Sequence, residues 1–118
     1  LMSPADTAVV VIDMQEKLWP TISGRDSILA RVKFGVESAR VLGLPVIGTE
    51  QYPKGLGRTI APLQSMLDEC WAKTCFSIAG EPSVADRLDQ PGLRKLLLLG
   101  IEAHVCVQQS AFDLLGSG

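Results

Sequence analysis

Residues Ala8-Val9-Val10-Val11-Ile12 form an unbroken apolar run, mostly β-branched, that ends at the carboxylate of Asp13. A second run, Leu96-Leu97-Leu98-Leu99, leads into Gly100. Short continuous runs without polar alternation suit strands buried on both faces, which is the condition of a parallel sheet. Parallel neighbours cannot be joined by a tight hairpin, so such strands require crossover helices between them. The segments between the two runs should therefore contain helices that cover the sheet.

The rest of the chain fits that demand. The first strand is read over 8–13. Asp26 to Leu42 reads as an amphipathic helix, with Ile28, Leu29, Val32, Val36 and Ala39 at helical spacing. Gly43 and Pro45 end it. Pro45 to Thr49 reads as the second strand, and Tyr52 to Pro62, rich in Gly and Pro, as a loop. Thr74 to Ile78 is the expected third strand, and Ser83 to Leu88 a helix with Ser83 as N-cap. Leu93 to Leu99 is the fourth strand and Val105 to Leu115 the last helix. Repeated β–α–β units of this kind predict one α/β domain over 1–118, a three-layer α/β/α sandwich around a parallel sheet.

Composition narrows the function classes. With 47% hydrophobic and 20% charged residues, the chain has the balance of a soluble globular domain. A formal net charge of −2 and the lack of a basic stripe argue against nucleic-acid binding. The longest apolar runs are too short to span a membrane, and no signal-like segment is visible. The three cysteines are odd in number and lack C-x-x-C spacing, so a reduced, cytoplasmic setting is expected and a thiol-redox role is weakly supported. A single histidine cannot build a multi-histidine metal site; no metal and no cofactor are expected.

Cys106 carries the clearest chemical signal. It lies in Gly100-Ile101-Glu102-Ala103-His104-Val105-Cys106-Val107, between the leucine run and the last helix. A thiol at a strand-to-helix turn feels the positive end of the helix dipole, which lowers its pKa and favours the thiolate. The same position equally suits a small packed core residue. Asp13 has two readings as well: a site carboxylate at the C-terminal edge of a central strand, where open α/β sheets bind ligands, or a helix-capping or turn aspartate. Lys73, in Ala72-Lys73-Thr74-Cys75-Phe76-Ser77, is unremarkable by itself.

Taken together, these segments resemble the isochorismatase-like cysteine hydrolases, whose chain order is Asp after the first strand, Lys before a middle strand and Cys after the fourth. Asp13, Lys73 and Cys106 match that order. The likeness is closest to the isochorismatase domain-containing subgroup. It is carried by Asp13-Met14-Gln15-Glu16-Lys17, by Thr49-Glu50-Gln51-Tyr52-Pro53-Lys54-Gly55-Leu56-Gly57, by the Lys73 segment, and by Gly100-Ile101-Glu102-Ala103. The resemblance implies strand order 3-2-1-4, an Asp-Lys-Cys triad, and an oxyanion hole from the backbone N–H groups of Glu102 and Cys106. It also implies a cis peptide at Ile101–Glu102.

The implied activity is hydrolysis of an amide-type C–N bond in a small molecule through a thioester-like intermediate. Two alternatives stand beside it: vinyl-ether cleavage of the isochorismatase type, and a non-catalytic interaction or scaffold domain with a relic triad. Candidate substrate contacts are Gln15, Trp19, Glu50, Tyr52 and His104, each of which also suits ordinary packing or a solvated surface position. Domains of the family continue beyond the nucleophile helix with further strands, so the chain reads as C-terminally shortened. The fourth strand would then form a sheet edge, and a homo-oligomer is expected.

Overall fold

The computed structural model describes residues 1–118. A four-stranded parallel sheet has the order β3-β2-β1-β4. Its strands are β1 (Thr7–Ile12), β2 (Val46–Gln51), β3 (Glu69–Lys73) and β4 (Lys95–Gly100). The helices are α1 (Arg25–Val41), the single turns α2 (Pro53–Leu56) and α3 (Ala61–Gln64), α4 (Pro82–Leu88) and α5 (Gln108–Gly116). The expected three-layer architecture and strand order are present. No helix is long and apolar enough to cross a membrane.

β1 is buried along its whole length because it lies between β2 and β4. Its alternate side chains serve two cores. Val9 and Val11 pack with Val32, Val36 and Ala39 of α1 and with Val46 and Leu63. Ala8, Val10 and Ile12 face the other side, with Ile47, Ile78, Val84, Leu88 and Cys106. Removing these apolar surfaces from water contributes about 25 cal/mol per Å². The two-sided burial is why β1 has no polar alternation.

Several boundaries differ from the sequence reading. The third strand is Glu69–Lys73 rather than Thr74–Ile78. Glu69, Cys70, Trp71 and Ala72 alternate between partly covered and exposed on the outer strand, so their mixed polarity gave no apolar run. The β-favouring residues after them form bends, and Ser77 caps a short 3₁₀ turn at Ile78–Gly80 by accepting from the Ala79 N–H. Lys73 is therefore the last residue of β3, not a residue before it. The Tyr52–Pro62 stretch holds α2 and the start of α3, each with proline in its first turn, where the missing N–H is not required. α4 starts at Pro82 with Glu81 as N-cap, in place of the expected Ser83 cap. The leucines of β4 are only half-buried, because one edge of that strand has no neighbour.

The register brings the C-terminal ends of all four strands to one edge. Ile12 is level with Thr49 and with Gly100, and Gln51 is level with Lys73. Gly100 is required at its position. Its φ is +153°, and a Cβ there would lie 2.2 Å from the Ile12 carbonyl oxygen. The chain then passes through a cis peptide at Ile101–Glu102 into a π-helical turn, Ala103–Val107, that leads into α5.

Candidate active site

Asp13 follows β1 with φ 53° and its N–H bonded to the Thr49 carbonyl. Its carboxylate has no solvent exposure and sits among three groups from different elements. Thr49 Oγ1 donates to Oδ1 at 3.0 Å. Lys73 Nζ lies 2.8 Å from Oδ2, and both side chains are 0% exposed. Cys106, 7% exposed, closes the third side, with its thiol in reach of both charges.

The hydrogen bonds of Lys73 go elsewhere. Nζ donates to Gln51 Oε1 at 2.8 Å, to the Cys75 carbonyl at 3.0 Å and to the Phe76 carbonyl at 2.9 Å. An ammonium has three hydrogens, so three neutral acceptors occupy them all. Asp13 Oδ2 is thus ion-paired by proximity yet accepts no hydrogen bond. A buried carboxylate oxygen in that state is a ready acceptor for a proton.

The thiol does not behave as the sequence reading expected. Burial pushes Cys106 up from an ordinary 9.0 to about 12; the neighbouring Asp13 carboxylate adds to this, while Lys73 pulls the other way. The expected lowering by the helix dipole is overturned by desolvation and the adjacent carboxylate. At neutral pH the resting sulfur keeps its proton.

The turn that carries the thiol is braced from behind. Ser110, fully buried on α5, donates through Oγ to the Cys106 carbonyl at 2.5 Å and accepts from the Ile78 N–H at 3.0 Å. In front of it, the Glu102 N–H donates to no backbone carbonyl.

The expected substrate contacts separate. Gln15 is buried and committed: Nε2 donates to the Gln51 and Gly57 carbonyls, and Oε1 accepts from the Gln51 N–H. It ties the end of β1 to β2 and leaves no N–H for a ligand. Glu50 accepts from the Thr59 N–H and hydroxyl, and lines a different groove with Lys54, Arg58, Glu69 and Cys70. Trp19 packs against the α1-side core. Tyr52 is 57% exposed, and its ring lies over Gly55. The His104 side chain is 77% exposed, with Nε2 3.6 Å from Glu102 Oε2. Of the expected residues, the structure brings together Asp13, Lys73 and Cys106, with Glu102 in the same turn as the thiol. Cys70 and Cys75 are exposed as residues, but the Cys70 sulfur is partly covered beside Thr59 and is pushed up to about 11, chiefly by that cover. No cluster of His, Cys, Asp and Glu suited to a metal ion is present.

Thr49, Gln51 and Ser110 were not anticipated as site residues. The one legible signal was position: Thr49 and Gln51 stand at the end of the second strand, where an open α/β sheet places its ligand site.

Known proteins resemble this chain in sequence and in fold. The chain is 39% identical over 118 residues to isochorismatase domain-containing protein 1 of Danio rerio, which covers 99% of this chain and 42% of that protein. It is 40% identical over 116 residues to isochorismatase domain-containing protein 2 of Homo sapiens, covering 98% of this chain and 56% of that one. The chain spans about half the length of these curated relatives. Among solved structures, the MAR1 ribonuclease from Caenorhabditis elegans superposes with a TM-score of 0.90 at 39% identity, over 99% of this chain and 61% of that one. The isochorismatase domain matches residues 7–118, and the chain belongs to that family.

Proposed function

We propose that the chain is a cysteine hydrolase acting on an amide-type C–N bond of a small molecule. The observation that carries this reading is the unbonded Asp13 Oδ2, fully buried beside Lys73 on a carboxylate that neighbours the Cys106 thiol. In the proposed sequence, Oδ2 takes the thiol proton as Sγ attacks the carbonyl carbon, so that no free thiolate forms beside the Asp13 carboxylate. The carbonyl π electrons move to oxygen, where the Glu102 N–H, with that of Cys106, stabilises the oxyanion. The carbonyl re-forms, the C–N bond breaks, and Asp13 passes its proton to the leaving amine. Water then attacks the thioester, giving one proton to Asp13. The C–S bond breaks, the acid leaves, and the proton returns to sulfur. The net reaction is amide plus water to acid plus amine. Lys73, 2.8 Å from Oδ2, balances whichever of Asp13 or the oxyanion is negative.

The name of the worm relative raises cleavage of RNA as a second activity. The groups favouring it are few: the single histidine is exposed and lies near Glu102, and the chain carries a net charge of −2. A thiol paired with a carboxylate suits acyl transfer better than phosphodiester chemistry.

We also propose that the chain self-associates, which the exposed apolar side chains of α5, Phe112 and Leu115, support. Sedimentation of the wild-type chain tests it, and a purely monomeric species would remove it.

Ammonia release from a panel of small primary amides tests the hydrolase reading. Activity in wild type that is lost in Cys106→Ser and Asp13→Asn supports it. Release that persists in Cys106→Ser would overturn it, and no release across the panel would favour the relic-scaffold alternative.

A further inference from the structure

Asp13 Oδ2 presents a contradiction in ordinary packing terms. It is buried, charged and 2.8 Å from a lysine ammonium, yet it receives no hydrogen bond. A lysine so placed would be expected to aim a hydrogen at the carboxylate, since charge-assisted bonds are about twice as strong as neutral ones. Here all three hydrogens are drawn to neutral oxygens. Two of these are the backbone carbonyls of Cys75 and Phe76. The third is the side-chain oxygen of Gln51.

We infer that Gln51 is a positioning residue that holds one Lys73 hydrogen away from Asp13 and so keeps Oδ2 free to accept the proton of Cys106. The inference rests on the proposed Asp13–Lys73–Cys106 reading and adds to it the device that separates charge pairing from hydrogen bonding. Lys73 neutralises Asp13 through space while leaving its lone pairs available.

The placement of Gln51 is itself over-determined. It is level with Lys73 across the β2–β3 pairing. Its main chain is clamped on both sides by Gln15, which accepts from the Gln51 N–H at 2.8 Å and donates to its carbonyl at 2.9 Å. Its amide Nε2 donates to the Thr74 carbonyl at 3.0 Å, which fixes which end of the amide faces Lys73. The oxygen is therefore directed at Nζ. Of the three acceptors it is the only one that a substitution can remove.

Gln51→Leu deletes the acceptor. The freed hydrogen turns to Asp13 Oδ2, and the thiol loses the group that held its proton. Gln51→Glu keeps the acceptor and adds a negative charge beside Lys73, which offsets the pull of that ammonium on the thiol. The two substitutions should move the thiol in opposite directions, whereas simple loosening of the site would admit water and move both the same way.

The test is the rate of iodoacetamide labelling at Cys106, followed by mass spectrometry from about pH 7 to about pH 10, where the rate tracks the thiolate fraction. Gln51→Leu is expected to label faster than wild type at a given pH, by roughly tenfold, and Gln51→Glu to label more slowly. Faster labelling in both variants, or no change in either, would overturn the inference. Gln51→Met, close to glutamine in shape, repeats the acceptor deletion if Gln51→Leu does not fold, as judged by circular dichroism. Lys73→Met examines the parent reading separately. Loss of its positive charge should slow labelling. Unchanged labelling there would remove the Asp13–Lys73–Cys106 reading itself. Slowed labelling there, with Gln51 variants that match wild type, would overturn only the role of Gln51.

Discussion

Lys73 Nζ lies 2.8 Å from Asp13 Oδ2, with both side chains sealed from solvent, and the two residues reach each other from the ends of different strands. β2 lies between those strands in the sheet and supplies Thr49 to Asp13 and Gln51 to Lys73. The pair is therefore held by the sheet register rather than by a loop. A buried pair of this kind is costly to desolvate, and breaking it is costlier still because one charge is left without a partner.

That asymmetry gives a stability prediction. Asp13→Asn and Lys73→Met should each destabilise the chain by roughly 3–5 kcal/mol, and the double variant by clearly less than the sum of the two. Urea unfolding of the four proteins measures this. Additive losses would mean that the two charges do not depend on each other.

The raised Cys106 thiol predicts a loss of stability in alkali. The folded value of about 12 exceeds the ordinary 9.0 of an unfolded thiol, so the unfolded chain releases this proton first. The contribution is fully present below the unfolded value and disappears as the pH rises from about 9 toward 12. Cys106→Ser, whose hydroxyl does not titrate there, should lack this dependence. The melting temperature of wild type relative to Cys106→Ser is expected to fall over that window. A constant difference would mean that the thiol is not held protonated by the fold.

Ser110→Ala removes the hydroxyl that joins the Cys106 carbonyl to the Ile78 N–H. The loss leaves the Ile78 N–H without its acceptor and should cost about 1–3 kcal/mol in chemical denaturation. The thiol turn would also be less firmly held, so Cys106 should label faster with iodoacetamide. Wild-type stability in Ser110→Ala would show that the bridge is incidental.

How much of this could be read from the residues depends on burial. β1 and β4 were legible because a strand packed on both faces must be apolar throughout, and α1 because one face must repeat at helical spacing. β3 was not, because an outer strand with exposed Cys70 and Ala72 carries no such pattern. Asp13 and Cys106 stand out by their places after buried strands, whereas Lys73 and the grouping of the three come from family resemblance, since an isolated lysine has no distinguishing spacing. The roles of neighbours were harder still. Gln15 stands just past the end of β1 and Gln51 at the end of β2, yet one clamps backbone and the other binds Lys73, and only the register decides between them. The raised pKa of the Cys106 thiol is hidden from the sequence for a similar reason. Chain order reveals the helix behind Cys106 but not the depth at which the sulfur is buried.

The central claim is that Cys106 attacks a carbonyl while Asp13 takes its proton. Intact-protein and peptide mass spectrometry during reaction with p-nitrophenyl acetate at neutral pH tests this most directly. The proposed mechanism predicts an acetyl thioester on Cys106 with a matching burst of nitrophenolate, absent in Cys106→Ser and slowed by roughly a hundredfold in Asp13→Asn, the range typical of a lost general base. Acetylation confined to the exposed Cys70 and Cys75, or an Asp13→Asn variant that acylates Cys106 at the wild-type rate, would contradict it.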